Sequence, residues 1–260
     1  MARAFRFIGV RVLPRGWRDL GWQVLVVIGF YTLYELVRGM IDANGYKPFG
    51  DADKIINFER LLHVFVEPSI QAWAQNIHWL IDAADWIYLN SHFFVSLAVL
   101  AFLYLRRNDS FYFVRNMFMI AMGIALIGYW LYPTAPPRLM PEWGFTDSIS
   151  QFMGFQGSMH FDNHTPAGVL VNLYAAVPSM HVCFALLTAW PMTRLVKHRT
   201  AKIAWCVYPA LITFVVVATG NHYFTDVFLG ALTAGISALL AKQLLARARP
   251  DVWAFGPAPA

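Results

Sequence analysis

Residues 203–246 read IAWCVYPALITFVVVATGNHYFTDVFLGALTAGISALLAKQLLA, two apolar runs parted by a short polar junction around Gly220-Asn221-His222. A helix needs roughly 20 predominantly apolar residues to cross a bilayer. The runs at 203–219 and 223–246 meet that demand, and so do 21–38, 88–105, 114–132 and 180–196. The pattern predicts an all-α integral membrane protein, a six-transmembrane-helix bundle. Composition agrees: of 260 residues 58% are hydrophobic and only 13% charged, and the mean hydropathy is +0.48, too apolar for a soluble domain of this size. With no internal repeat, low-complexity tract or second soluble domain, a single membrane domain over 21–246 is expected. A basic arm (1–20) precedes it, and a tail (247–260), disordered from Pro250 onward, follows.

Six spans put both termini on one side of the membrane. Fifteen of the twenty lysines and arginines fall on that side, five of them in the N-terminal arm, and only Arg38, Lys47, Lys54, Arg60 and Arg138 fall on the other. Short loops rich in Lys and Arg stay cytoplasmic. Both termini are therefore expected in the cytoplasm, in a plasma-membrane protein whose long segments 39–87 and 133–179 face outward. The formal charge of +5 follows this asymmetry and implies no nucleic acid partner. No small-residue cleavage site closes the first apolar run, so the first span is expected to be retained. Cys183 and Cys206 lie in different halves of the membrane, which speaks against a disulfide and excludes a zinc site of cysteines.

Segment 39–87 is interrupted by Asp51, Asp53, Glu59, Glu67, Asp82 and Asp85, yet Ile55, Ile56, Phe58, Leu61, Leu62 and Phe65 recur at helical spacing. This predicts amphipathic interfacial helices, one capped by Asp51, the next begun by Pro68, with Trp73, Trp79 and Trp86 at headgroup depth. Such helices serve as a structural collar or as a lid admitting a lipid sideways.

Polar residues gather in three clusters where spans meet the outer face. After the third span comes Tyr132-Pro133-Thr134-Ala135-Pro136-Pro137-Arg138, whose prolines stop the helix and fix the chain before a guanidinium able to grip phosphate oxygens. Snorkelling towards lipid phosphates is the alternative for Arg138. The fourth span opens with Pro178-Ser179-Met180-His181, where an anion could sit beside the Ser179 hydroxyl and the first amides of the helix. Between spans five and six His222 precedes Asp226 by four residues. On a helix that spacing shares a face, so the carboxylate can fix the imidazole tautomer and raise the basicity of the other nitrogen. An arginine, two histidines and an aspartate on one face are a full set for phosphoryl transfer, each acid–base role being worth roughly 10²–10⁴-fold. Tyr174 is a further candidate for substrate contact. Glu35 is a pocket residue without a named partner, His160 and His164 are read as solvated, Asn163-His164-Thr165 as a chance glycosylation match, and His198 as lying on the cytoplasmic side.

These residues resemble the type 2 phosphatidic acid phosphatase superfamily, particularly a branch similar to fungal inositol phosphorylceramide synthases, over roughly 114–246. The matching elements are Pro178-Ser179-Met180-His181 and His222-Tyr223-Phe224-Thr225-Asp226. The resemblance implies a phosphohistidine mechanism without metal or other cofactor: His222 attacks phosphorus, Asp226 orients it, and His181 protonates the leaving oxygen and then activates the acceptor. Where the phosphatase branch carries further cations this chain has Leu131 and Val215-Val216, Leu139 follows Arg138, and Met180 replaces a glycine. Those departures favour the synthase-like branch. The expected function is cleavage of a phosphoester or pyrophosphate of a membrane lipid with water as acceptor. The alternative is transfer of an inositol-phosphate or sugar-phosphate headgroup to a lipid hydroxyl. A transporter relaying protons through intramembrane histidines is opposed by the gathering of polar residues at one face, and a zinc hydrolase using His181, His222 and Asp226 is the remaining alternative.

Overall fold

The computed structural model describes residues 13–41, 46–154 and 172–256, and most of them are helical. In chain order the helices are α1 (Gly16–Met40), α2 (Lys47–Leu61), α3 (Glu67–Gln75), α4 (His78–Arg106), α5 (Asn108–Leu131), the short α6 (Ser148–Phe152), α7 (Met180–Leu195), α8 (Arg199–Ala218) and α9 (Phe224–Leu240). A π-helical turn, Ala241–Leu245, carries α9 on to Ala248. No strand occurs among the described residues. Most of the arm, including Arg3, Arg6 and Arg11, and the loop with His160, Asn163 and His164 lie outside them.

Five helices, α1, α4, α5, α8 and α9 with its extension, are long and apolar enough to cross a membrane. At 1.5 Å per residue they exceed or match the roughly 30 Å of hydrocarbon. Their outward faces are apolar and bare: Trp130 is 70% exposed and Phe228 67%. The sixth expected span is α7, which has only 16 residues, about 24 Å. Its central position explains the difference, since α4, α5, α8 and α9 all pack around it and most of its side chains are buried. A helix sheathed by other helices need not match the bilayer by itself.

Segment 39–87 differs in two ways from the expectation. Asp51 caps nothing: α2 begins four residues earlier with Pro48 in its first turn, and Asp51 instead pairs with Lys47 (2.8 Å) and Lys54 (2.7 Å). Pro68 does open α3. The third helix, however, is continuous with the span, because α4 starts at His78 and carries Asp82, Asp85, Trp79 and Trp86 as its projecting turns. Acidic residues keep a helix out of hydrocarbon without breaking it. The tail expectation is corrected too: Pro250–Trp253 form a helical turn, and the ring of Phe255 packs on Trp190 (4.9 Å between centroids) and Phe113 (5.8 Å). Two large aromatic groups gain more by burial there than the short segment loses in freedom. Cys183 is buried and Cys206 exposed, both as free thiols.

Helices in lipid associate through close packing and buried polar contacts. At one end of the bundle Asp19 of α1 accepts from Tyr104 (2.8 Å) and Tyr112 (2.9 Å), while buried Arg115 bonds Asn116 and Gln23. Arg115 is thus a helix-packing residue and no loop charge. At the other end α2 and α3 are fastened to α9: Glu59 accepts the Thr225 amide (2.6 Å) and Glu67 the Phe224 amide (3.0 Å). Further ties run from the Trp143 indole to Asp53 (2.9 Å) and from Gln71 to the Thr146 carbonyl (2.9 Å). These bonds fasten α2 and α3 to the start of α9 and to the segment after α5.

Burial and the neighbouring Glu59 push the Glu67 carboxyl up to about 8 from an ordinary value near 4.5. A carboxyl raised in the folded state stabilises the fold below its unfolded pKa, and that contribution is lost as pH climbs through the folded value. Thermal stability in detergent should therefore fall between about pH 5 and 8, and Glu67→Gln should flatten that slope; an unchanged slope in the variant refutes the assignment.

Candidate active site

The ends of α1, α5 and α8 and the starts of α4, α7 and α9 lie at the same end of the bundle. There a cavity of about 200 Å³ is lined by His181, His222, Arg138, Asn221, Tyr88, His92, Arg38 and Glu35, among others. The three sequence clusters therefore do converge.

His222 sits in the turn before α9. Its Nδ1 lies 3.3 Å from Asp226 Oδ2, and both residues are buried. The same carboxylate oxygen accepts the Tyr223 amide (3.0 Å), which locks it in place. A carboxylate only accepts, so Nδ1 carries the proton and the lone pair belongs to Nε2. His181, in the first turn of α7, is fixed in the complementary way: its Nε2 faces the Tyr88 carbonyl at 3.2 Å, which leaves the lone pair on Nδ1. Its ring stacks on Tyr88 (4.3 Å between centroids), meets His92 edge-on (4.3 Å) and stands 5.8 Å from the His222 ring. Each histidine is thus held at one nitrogen and basic at the other.

Arg138 lies in a helical turn, Pro137–Leu139, that the preceding prolines set up. Its backbone amide donates to the Gly220 carbonyl (2.7 Å), its Nε to Asn221 Oδ1 (3.0 Å), and its terminal nitrogen meets Asp147 at 3.2 Å. Arg138 therefore lines the cavity and does not snorkel. Asp147 is itself fixed, because its side chain caps α6 through the Ser150 amide (3.1 Å). Gly220 has φ +65, and a Cβ there would run into the Gln71 side chain, so only glycine lets the His222 turn approach Arg138 so closely.

Two candidates fall elsewhere. Ser179 is fully buried, its Oγ has no hydrogen-bond partner among the described residues, and it does not line the cavity. The cause is Gly230, whose missing Cβ allows α9 to press against the Ser179 carbonyl. Tyr174 packs edge-on against Phe49 (5.8 Å) and also stays outside the lining. Sequence reading missed His92, Tyr88, Asn172 and Arg38, which supplies the absent partner of Glu35 at 2.7 Å. Among the described residues no three His, Cys, Asp or Glu side chains are grouped as a metal ion would require.

A family model described as PAP2 superfamily matches residues 53–240. No curated protein and no solved structure matches the chain.

Because Gly230 lies flush against a carbonyl that belongs to the His181 turn, Gly230→Ala should lower stability by about 1–3 kcal/mol. Thermal melts in detergent measure this, and an unperturbed melting point would show that α7 and α9 can part without cost.

Proposed function

The chain belongs to the PAP2 superfamily, and from that premise we propose that it cleaves a phosphoester or pyrophosphate of a membrane lipid through a phosphorylated His222. Membership supports a phosphatase or phosphotransferase type of chemistry. The observation that carries the finer reading is the pair of oppositely tethered histidines, basic at Nε2 in His222 and at Nδ1 in His181, on one small cavity.

In the first half-reaction His222 Nε2 attacks phosphorus and the bond to the leaving oxygen breaks, while His181, protonated at Nδ1, gives that oxygen its proton. Asp226 neutralises the charge that develops on the phosphoimidazole, since it faces Nδ1–H. Neutral His181 then takes a proton from water, the hydroxide attacks phosphorus, and phosphate and free His222 are regenerated with His181 again protonated. Arg138, stiffened by Asp147 and Asn221, offers its guanidinium to phosphate oxygens. The asymmetry of lysine and arginine along the sequence supports an extracytoplasmic cavity with both termini in the cytoplasm.

A second reading, transfer of a phosphorylated headgroup to a lipid hydroxyl, is favoured by the cavity wall. Tyr31, Tyr34, Glu35 and Asn172 line it beside the arginines, and such groups suit a hydroxylated headgroup better than bare phosphate.

Purified protein given lipid phosphates, phosphoinositides and diacylglycerol, ceramide or polyprenol acceptors should release phosphate or form a new phospholipid, read by mass spectrometry. His222→Ala should abolish either outcome. His181→Ala should lower turnover about 10²-fold or more. Turnover by His222→Ala at the wild-type rate would sink the mechanism. Arg138→Lys should raise KM through loss of the planar fork.

A further inference from the structure

Helix α1 lies outside the family-matched region 53–240, yet its last turns form one wall of the catalytic cavity. Tyr31, Tyr34, Glu35 and Arg38 all line it. The end of the helix is fixed over the site, because the Asn172 side-chain amide donates to the carbonyls of Arg38 (3.0 Å) and Ile41 (3.2 Å). Glu35 holds the Arg38 guanidinium at 2.7 Å. A guanidinium presents its donors in a planar fork, so an arginine steadied in this way at the cavity wall is suited to phosphate oxygens.

Beside this cavity lies a second one of about 280 Å³, almost wholly apolar, between α1, α4 and α5. Val27 and Ile28 form its α1 side, Ser96, Leu97 and Leu100 its α4 side, and Met122 its α5 side. The two cavities share Tyr31, His92 and Phe184. From His92 to Leu100 the crevice follows about 12 Å of α4. Its rim is exposed on the outer surface of the bundle, Ile28 at 57% and Leu97 at 44%, where bilayer chains run. The two cavities thus adjoin across Tyr31, His92 and Phe184, the one with the histidines polar and cationic, the other lined almost wholly by apolar surface apart from Arg115.

We propose that α1 is the substrate-recognition helix of this site: Arg38 is a second phosphate-binding cation beside Arg138, and the crevice that α1 forms with α4 and α5 takes one alkyl chain of the same molecule. This deepens the reading of the preceding subsection and rests on it for the position of the phosphate. The substrate class it specifies is an amphiphilic phosphate whose first chain segment lies within a few ångströms of the phosphorus, reaching the histidines sideways from the bilayer.

Equilibrium binding of inorganic phosphate and of monoalkyl phosphates from methyl to dodecyl, measured on His222→Ala protein in nanodiscs and corrected for partitioning into protein-free discs, tests this without turnover. Affinity should rise about fourfold per methylene until the crevice is full and then level off. Arg38→Met should weaken every ligand, inorganic phosphate included, about tenfold or more, and Arg38→Lys should recover part of that. In Ser96→Phe, and separately in Leu97→Trp, the loss relative to the parent should grow with chain length. Equal binding by Arg38→Met and its parent, or an affinity independent of chain length, overturns the proposal. These signatures in a protein that never forms phosphohistidine would uphold the recognition helix and sink the mechanism above, whereas turnover through His222 without them would do the reverse.

Discussion

The site hangs on the first turn of α9, where three successive amides are taken by three carboxylates: Tyr223 by Asp226, Phe224 by Glu67 and Thr225 by Glu59. At a membrane interface an unsatisfied amide is costly, and these three carboxyl oxygens satisfy the first amides of the helix. One consequence is geometric, because Glu59 and Glu67 belong to α2 and α3 and tie both helices to the start of α9. The other is electrostatic. A helix start already filled with carboxylates has no room for an anion, and the start of α7 is closed by Gly230 over Ser179. Neither helix terminus offers free amides to an anion, so in the proposed function phosphate binding would fall to arginine side chains.

The two histidines show how backbone and carboxylate acceptors divide the chemistry. Asp226 lies in the first turn of α9 and faces His222 in the turn before it, so in the proposed mechanism its carboxyl group would balance an imidazole that becomes cationic on bonding phosphorus. Tyr88 presents a neutral carbonyl to His181 and its ring stacks beneath, which orients the imidazole without holding it permanently protonated. A nucleophile gains from the first arrangement and a residue that must both give and take a proton gains from the second. The assignment of roles thus rests on the acceptor behind each ring.

Much of this was legible from the order of residues. His222 and Asp226 do meet as their spacing suggested, though across the start of α9 and not along one helix face, and proline at 133, 136 and 137 announced that Arg138 would be held. Apolar run lengths located the bundle, although they placed the start of α4 ten residues late, because Asp82 and Asp85 mask a helix that simply leaves the hydrocarbon. What sequence could not carry were partners remote in the chain. Asp147 behind Arg138, the Tyr88 carbonyl behind His181 and Asn172 across the end of α1 leave no local pattern, since any polar residue in a loop looks alike until packing chooses it. Ser179 failed for the converse reason: its local signature as a helix start is real, but the absence of a side chain at Gly230, 51 positions on, decides that it is buried.

Both cavity arginines are already matched with an acid, Arg38 with Glu35 and Arg138 with Asp147. On the proposed reading, an incoming phosphate would therefore not meet two bare positive charges, which in a low dielectric would bind any anion tightly and release it slowly. It meets two planar forks whose directions are set beforehand by their carboxylates, and it gains chiefly the hydrogen bonds those forks direct at it. Such a site selects for the position of phosphate oxygens more than for total charge. It also keeps the resting cavity near electroneutrality, a condition under which a buried polar cluster at the membrane surface can persist without an ion.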